Sequence, residues 1–318
     1  MVGDAPSIAI IGAGVAGLTC GIELAAFGTR CTLFDKGRGL GGRLATRRAE
    51  GGFQFDHGAP YLEAKSANFL SLLQQAEAAG AAAPWSPEGT DLGFVGVPGM
   101  TGLAKYMADG LDIKKGTRIE GLMPDGEGWI LQWEGGERRF DIVILTTPPP
   151  QTVDLLPDEH PLAGMLDAVR MDPCLTLMVG VSDRDEIARC LTGDSREEIA
   201  WIAEDSAKPG RPNARCFVAH ASTSWSERHL ELNLDEVAAR FLPMVLARLD
   251  LPETYAPAYV SAHRWRYARA SHPLGQAYLA NDARTLFVGG DWCLGNSAEH
   301  AWQSGQAIAA AIGGAIKA

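Results

Sequence analysis

The chain has 318 residues, 46% of them hydrophobic, which is enough for two cooperating domains with separate cores and rules out a disordered or fibrous polypeptide. Its 28 Lys+Arg against 39 Asp+Glu give a formal charge of −11, which repels polyanions and argues against nucleic acid as a partner. Six cysteines without a CxxC, several inside apolar segments, read as reduced thiols of a cytoplasmic protein with no metal site. The apolar stretch Ile8 to Phe27 has an Asp and no Lys or Arg before it and four glycines within it, so it reads as neither a signal peptide nor a membrane span.

In chain order, Ser7 to Ile11 is a continuous apolar run, as for a parallel strand buried on both faces, and it leads into Gly12-Ala13-Gly14-Val15-Ala16-Gly17. A helix follows with Leu18, Ile22 and Ala25 on one face and Gly28 at its end, then a strand from Cys31 to Phe34 that stops at Asp35. Asn68 to Ala79 reads as a helix, with Ser66 as a cap and Gly80 as its stop. Between Pro84 and Pro98 the pattern dissolves into Pro, Gly and Trp, which suggests a crossing between domains. Strands are expected at Trp129 to Trp133, Phe140 to Leu145, Cys174 to Val181, Cys216 to Ala221 and around Tyr259 to Tyr267, with a helix from Asp235 to Leu249 kinked at Pro243. Thr285 to Gly289 is again a buried apolar strand, and an Ala-rich helix is expected from about Ala301.

The chemistry begins in the first turn. Gly12 permits the tight turn, Gly14 lets the backbone approach a pyrophosphate, and Gly17 lets helix and strand pack closely. The helix then offers free N–H groups and a positive dipole end to phosphates. Asp35, at the end of the second strand, is placed to accept from ribose hydroxyls. NAD and FAD both suit this unit. The run Lys36-Gly37-Arg38-Gly39-Leu40-Gly41-Gly42-Arg43 adds backbone donors and cations for a longer cofactor and favours FAD. At the far end, Gly289-Gly290-Asp291 follows a strand and precedes the last helix, whose N-terminus would face the part of a flavin where negative charge collects on reduction.

The stretch from Gly12 to Arg43, with Gly28, Asp35, Gly41 and Gly42 in register, resembles the FAD fingerprint of the flavin amine oxidase superfamily. Within it the chain is most similar to bacterial renalases, in segments that span most of its length: Phe34-Asp35-Lys36, Asp56 to Tyr61, Met171-Asp172-Pro173, Lys208-Pro209, His263-Arg264-Trp265, Gly290 to Leu294, and Ala301-Trp302. The resemblance implies an α/β fold: a Rossmann-type, glutathione-reductase-like FAD-binding domain interleaved with a smaller α+β substrate domain built on a mixed sheet. Residues 1–65, 95–155 and 280–318 are expected in the former, and 66–94 and 156–279 in the latter. It further implies non-covalent FAD held by Gly12, Gly14, Ala16, Gly17, Asp35, Lys36, Arg38, Gly42, Arg43, Ile119, Asp291, Ala301 and Trp302. His263, Tyr61 and Trp292 would form the catalytic face, and Trp265, Trp225 and Trp201 the substrate pocket. The implied reaction is oxidation of isomeric dihydronicotinamide dinucleotides to NAD(P)+, with O2 reduced to H2O2.

The residues themselves agree with a flat substrate. In a strand, Tyr259, Ser261, His263, Trp265 and Tyr267 share one face. Two rivals stand beside this reading. A flavin-containing amine oxidase would often hold its flavin on a cysteine upstream of the Gly-Asp turn, yet no Cys lies between Cys216 and Cys293; its lysine could be Lys208. A non-catalytic flavin sensor is the other. With one GxGxxG, there is no second Rossmann domain to deliver NADPH.

Overall fold

The computed structural model describes residues 5–86, 92–181, 190–192 and 197–316. The chain forms two compact units, one of Met1–Gly42, Ala104–Met171 and Ala270–Ala318, the other of Arg43–Leu103 and Asp172–Arg269.

The first unit is built on a six-stranded sheet in the order Leu279–Ala280, Leu286–Val288, Ile142–Leu145, Ile8–Ile11, Cys31–Asp35 and Asp112–Lys115. All pairings are parallel except at the Leu279–Ala280 edge, so the sheet is mixed. Ile8–Ile11 and Leu286–Val288 are buried at every position, as expected of strands covered on both faces. Helices Val15–Ala26 and Ala298–Ile316 pack closely, since a Cβ on Gly305 would collide with the carbonyl of Ala16. A three-stranded antiparallel sheet, Gly136–Phe140, Gly128–Trp133 and Ile119–Asp125, completes the unit. The apolar run expected as one strand from Phe140 to Leu145 is split. Asp141 accepts hydrogen bonds from the N–H and hydroxyl of Ser7, and the chain turns there from the antiparallel sheet into the parallel one.

The second unit centres on a five-stranded sheet in the order Cys190–Thr192, Ile199–Glu204, Cys216–Ala221, Arg170–Gly180 and Tyr259–His272. Side-chain alternation divides its two faces. Leu175, Leu177, Phe217, Ala219, Ala221 and Ala262 pack against Val237, Phe241 and Val245 of helix Leu234–Arg248, which carries Pro243 inside it and begins at a capping box between Asn233 and Glu236. On the other face Met178, Cys216, Val218 and Tyr259 pack against Phe53 and Phe55 of the Thr46–Arg48/Gln54–Asp56 hairpin.

The unit boundaries differ from the expected domain edges. Residues 43–65 and 95–103 fall in the second unit, because Phe53 and Phe55 belong to that sheet's core. Residues 156–171 and 270–279 fall in the first, because Leu156, Leu162, Leu166, Ala270 and Leu279 share a core with Phe34 and Val143. The region of Pro84 to Pro98 is not a crossing between units: Leu62–Glu63, Gly93–Gly96 and Ala82–Pro84 form a small antiparallel sheet inside the second unit. The last helix begins at Ala298, three residues earlier than the Ala-rich pattern suggests, where Ser297 accepts the N–H of His300. No helix among the described residues is long and apolar enough to cross a membrane.

Candidate functional site

At the carboxyl edge of the parallel sheet, Gly12, Asp35 and Thr146 follow three adjacent strands. This is where open α/β sheets bind ligands. Gly12 has φ +108°, and a Cβ there would lie 2.7 Å from Thr146 Oγ1. A Cβ on Gly17 would collide with the Gly12 carbonyl, so turn and helix meet as closely as backbone allows. A Cβ on Gly14, by contrast, would meet nothing within 4 Å. Open space therefore lies over the N-terminus of helix Val15–Ala26, which has no side-chain cap and no acidic residue in its first turn. Its first N–H groups, including those of Ala16 and Gly17, are available to an anion. Gly41 lies alongside, its N–H donating to the Ala13 carbonyl, and Gly42 adopts φ +54°, where an added Cβ would lie 3.7 Å from the Cα of Gly14.

Asp35 is held in place by its own loop. Its Oδ2 accepts from Ala13 N at 2.8 Å and its Oδ1 from Gly37 N at 2.6 Å. A carboxylate has about four acceptor sites, so capacity for two ribose hydroxyls is left. Ile119 lies two residues beyond Thr117, whose N–H donates to the Asp35 carbonyl. Lys36 is exposed and donates to Gln151, and Arg38 is exposed. Arg43 lies in the second unit, where its guanidinium donates to the carbonyl of Ala268. A turn free of side chains, a bare helix N-terminus and an oriented acid fit the pyrophosphate and ribose of a dinucleotide such as FAD.

At the Gly290 turn two expectations need correction. Trp292 is 1% exposed, sits in the core with Leu145 and Val288, and donates its indole N–H to the Thr147 carbonyl, so it presents nothing to a substrate. The Ala301 N–H is bonded to the Ser297 carbonyl, so it is not a helix-end donor. Trp302 is one residue further in and buried. Asp291 is buried, and its carbonyl accepts from Leu294 and Gly295, which shapes the turn.

The second unit gathers several of the other candidates on one sheet face. His263 and Trp265 project from Tyr259–His272 toward His57, just past the hairpin: the His57 ring stands 4.7 Å from His263 and 5.4 Å from Trp265, whose indole N–H donates to the His57 carbonyl. His220 follows on the same face, opposite Thr176 and Trp201 in the neighbouring strands. Trp201 stands 5.7 Å from the Tyr61 ring, which in turn stands 6.1 Å from Trp85. Burial pushes the imidazoles down, to about 3 for His57 and His220 and about 4 for His263, and the Arg47 guanidinium lowers His57 and His263 further. All three are therefore uncharged at neutral pH. Burial and the Glu63 carboxylate, which accepts the Tyr61 hydroxyl, push that phenol up to about 12. Trp225 does not join this face. It is 2% exposed on the opposite side, stacked on His229 at 4.1 Å and against Phe241, which makes it core and corrects its placement in the pocket.

Sequence reasoning missed the buried charge beside this face. Lys208 pairs with Asp205, and Arg211 with Asp56; all four side chains are at most 1% exposed. Asp56 also accepts from the Thr46 hydroxyl and Met100 N–H, and its own N–H donates to Asp205. Burial works against its charge, but Lys208 and Arg211 hold the Asp56 carboxyl below its ordinary range. The Lys208 ammonium also lies 5.3 Å from the Trp85 ring. A lone Lys-Pro and two separated aspartates gave no periodic signal for such a cluster.

Two family models match the chain: a NAD(P)-binding Rossmann-like domain over residues 10–76, and flavin containing amine oxidoreductase over residues 85–313. Similar solved structures include a candidate protoporphyrinogen oxidase from Exiguobacterium sp. 255-15, 13% identical, covering 98% of this chain and 99% of that one with a TM-score of 0.77. Cyclohexylamine oxidase from Brevibacterium oxydans IH-35A is 12% identical, with 99% and 100% covered and a TM-score of 0.74. These likenesses establish the fold. A carotenoid phi-ring synthase from Streptomyces griseus is 49% identical over 43 residues, which is 14% of this chain and only 8% of that protein.

Proposed function

Because the chain belongs to the flavin-containing amine oxidoreductase family, with FAD as its cofactor, we propose that it oxidises isomeric dihydronicotinamide dinucleotides, 2- or 6-dihydro-NAD(P), to NAD(P)+. The observation that carries the reading is the aromatic cluster of His57, His263 and Trp265, uncharged at neutral pH and with the Arg47 guanidinium as the nearby charge. Repulsion from that guanidinium makes the cluster suit a neutral heterocycle better than an ammonium.

FAD, when bound, supplies a two-electron acceptor for hydride that O2 reoxidises. One dihydronicotinamide, one proton and one O2 then give one NAD(P)+ and one H2O2. The protein's part is positioning. His263 is half-buried, and its ring would bond a substrate carboxamide. His57 and Trp265 brace it edge-on. With His263 neutral and no proton leaving alongside the hydride, no general base is needed.

Amine oxidation is the second reading, favoured by the family description. Against it, Lys208, the lysine weighed for that chemistry, is closed into an ion pair with Asp205. Anaerobic mixing of the FAD-loaded protein with isomeric dihydronicotinamides, ordinary NADH and a panel of amines decides the matter. Bleaching of the flavin by the isomeric dihydronicotinamides alone is expected; bleaching by an amine and not by them would overturn the reading.

A further inference from the structure

Arg47 lies in Thr46–Arg48 directly opposite Phe55, so it shares the side of the hairpin that meets the five-stranded sheet. Phe55 stacks on Tyr259 at 5.2 Å, and two residues along that strand Ser261 Oγ accepts from Arg47 Nη1 at 2.8 Å. One step further is His263. Arg47 is half-buried, yet it has no ion pair among the described residues, whereas the buried or half-buried Lys208, Arg211 and Arg215 in the same unit each have an acidic partner. The nearby imidazoles of His57 and His263 cannot serve as counter-charge, because an imidazole carries either no charge or a positive one. A guanidinium partly withdrawn from water without an anion is unfavourable, and with one Nη committed to Ser261 its remaining N–H groups still form a planar donor edge. That edge matches an anionic oxygen pair, phosphate above all.

We propose that Arg47 is a substrate-binding residue that receives the pyrophosphate of a dinucleotide, anchored by Ser261 and set two strand positions from the ring that meets the heterocycle. The assignment rests on the dihydronicotinamide reading of the same face. It makes Arg47 a determinant of specificity for dinucleotides over ribosides, with no part in the hydride step.

The test is equilibrium titration of the FAD-loaded protein with NAD+, which carries the pyrophosphate, and with nicotinamide riboside, which does not. Arg47→Gln should weaken NAD+ binding about ten- to a hundred-fold, leave riboside binding and FAD content unchanged, and raise the KM for the dihydro-dinucleotide with little change in kcat. Arg47→Lys, which keeps the charge but not the fork, should fall between. Equal weakening of both ligands would show that Arg47 only supports the fold, and loss of FAD without loss of NAD+ affinity would assign it to the cofactor; either result overturns the proposal, as does unchanged NAD+ affinity. If no isomeric dihydronicotinamide reduces the parental flavin, the functional reading fails, while the contrast between NAD+ and riboside still reports on Arg47 by itself.

Discussion

Lys208→Met separates a structural from a catalytic role for the one lysine that competes with the dihydronicotinamide reading. Asp56, Asp205, Lys208 and Arg211 sum to zero charge, all at most 1% exposed. Removing the ammonium leaves Asp205 without its cation and a net negative charge inside the unit. Breaking one partner out of a buried pair costs about 3–5 kcal/mol, a large share of the roughly 5–15 kcal/mol by which domains are stable. Replacing both partners by apolar groups removes the orphaned charge, so Lys208→Met/Asp205→Leu should recover most of that loss. The penalty should also depend on pH. Burial already raises Asp205, and without Lys208 it rises further, so the folded state binds a proton at Asp205 more tightly than the unfolded chain. The single variant therefore loses stability as pH rises through and above the ordinary carboxylate range and regains it in acid. Urea midpoints for parent, single and double variants from pH 4 to 8 measure this. A double variant as unstable as the sum of the two single ones, or a Lys208→Met penalty that ignores pH, would refute the argument. A fold that stays intact while flavin reduction fails would make Lys208 part of the chemistry.

Asp35→Ala should weaken FAD retention about ten- to a hundred-fold, from loss of charge-assisted bonds worth ~1.5–3 kcal/mol, read by flavin loss on dilution and gel filtration. His263→Asn should slow single-turnover flavin reduction only modestly, well short of the ~10²–10⁴-fold expected on losing a general base, and the rate should be flat above about pH 5 because His263 titrates near 4. Those low imidazole pKa values also act on stability: a histidine less basic folded than unfolded contributes stability that is lost as pH falls below the unfolded value. Acid unfolding profiles of His57→Asn and His263→Asn should therefore be shallower than the parent's between about pH 6.5 and 3. Trp225→Ala should cost about 3–5 kcal/mol of stability while leaving the reduction rate unchanged below the melting transition; a slowed rate in folded protein would return Trp225 to the pocket.

The dinucleotide-binding half of the fold was legible because its requirements are local. Gly12, Gly14 and Gly17 answer to a turn, an open face and a close approach within six residues, and Asp35 closes the next strand. The same locality explains the helix at Ala67–Ala78, announced by its Ser66 cap, and the amphipathic helix at Leu234–Arg248. What depends on register across distant strands was not legible. Trp201 projects from strand Ile199–Glu204 beside Tyr61, whereas Trp225 lies in the short polar helix Thr223–Arg228, and only its packing against Phe241 of a helix further along the chain sends it into the core. Trp292 follows a Gly-Asp turn that resembles a flavin contact, yet a core contact and one hydrogen bond to Thr147 bury it. His220 and His263 come from two strands and His57 from the segment just past the hairpin, and Arg47 and Ser261 lie 214 positions apart. No window of sequence contains such neighbours. Their closeness is created by pairing the hairpin to the sheet, and their shared neutrality by the burial that follows from it.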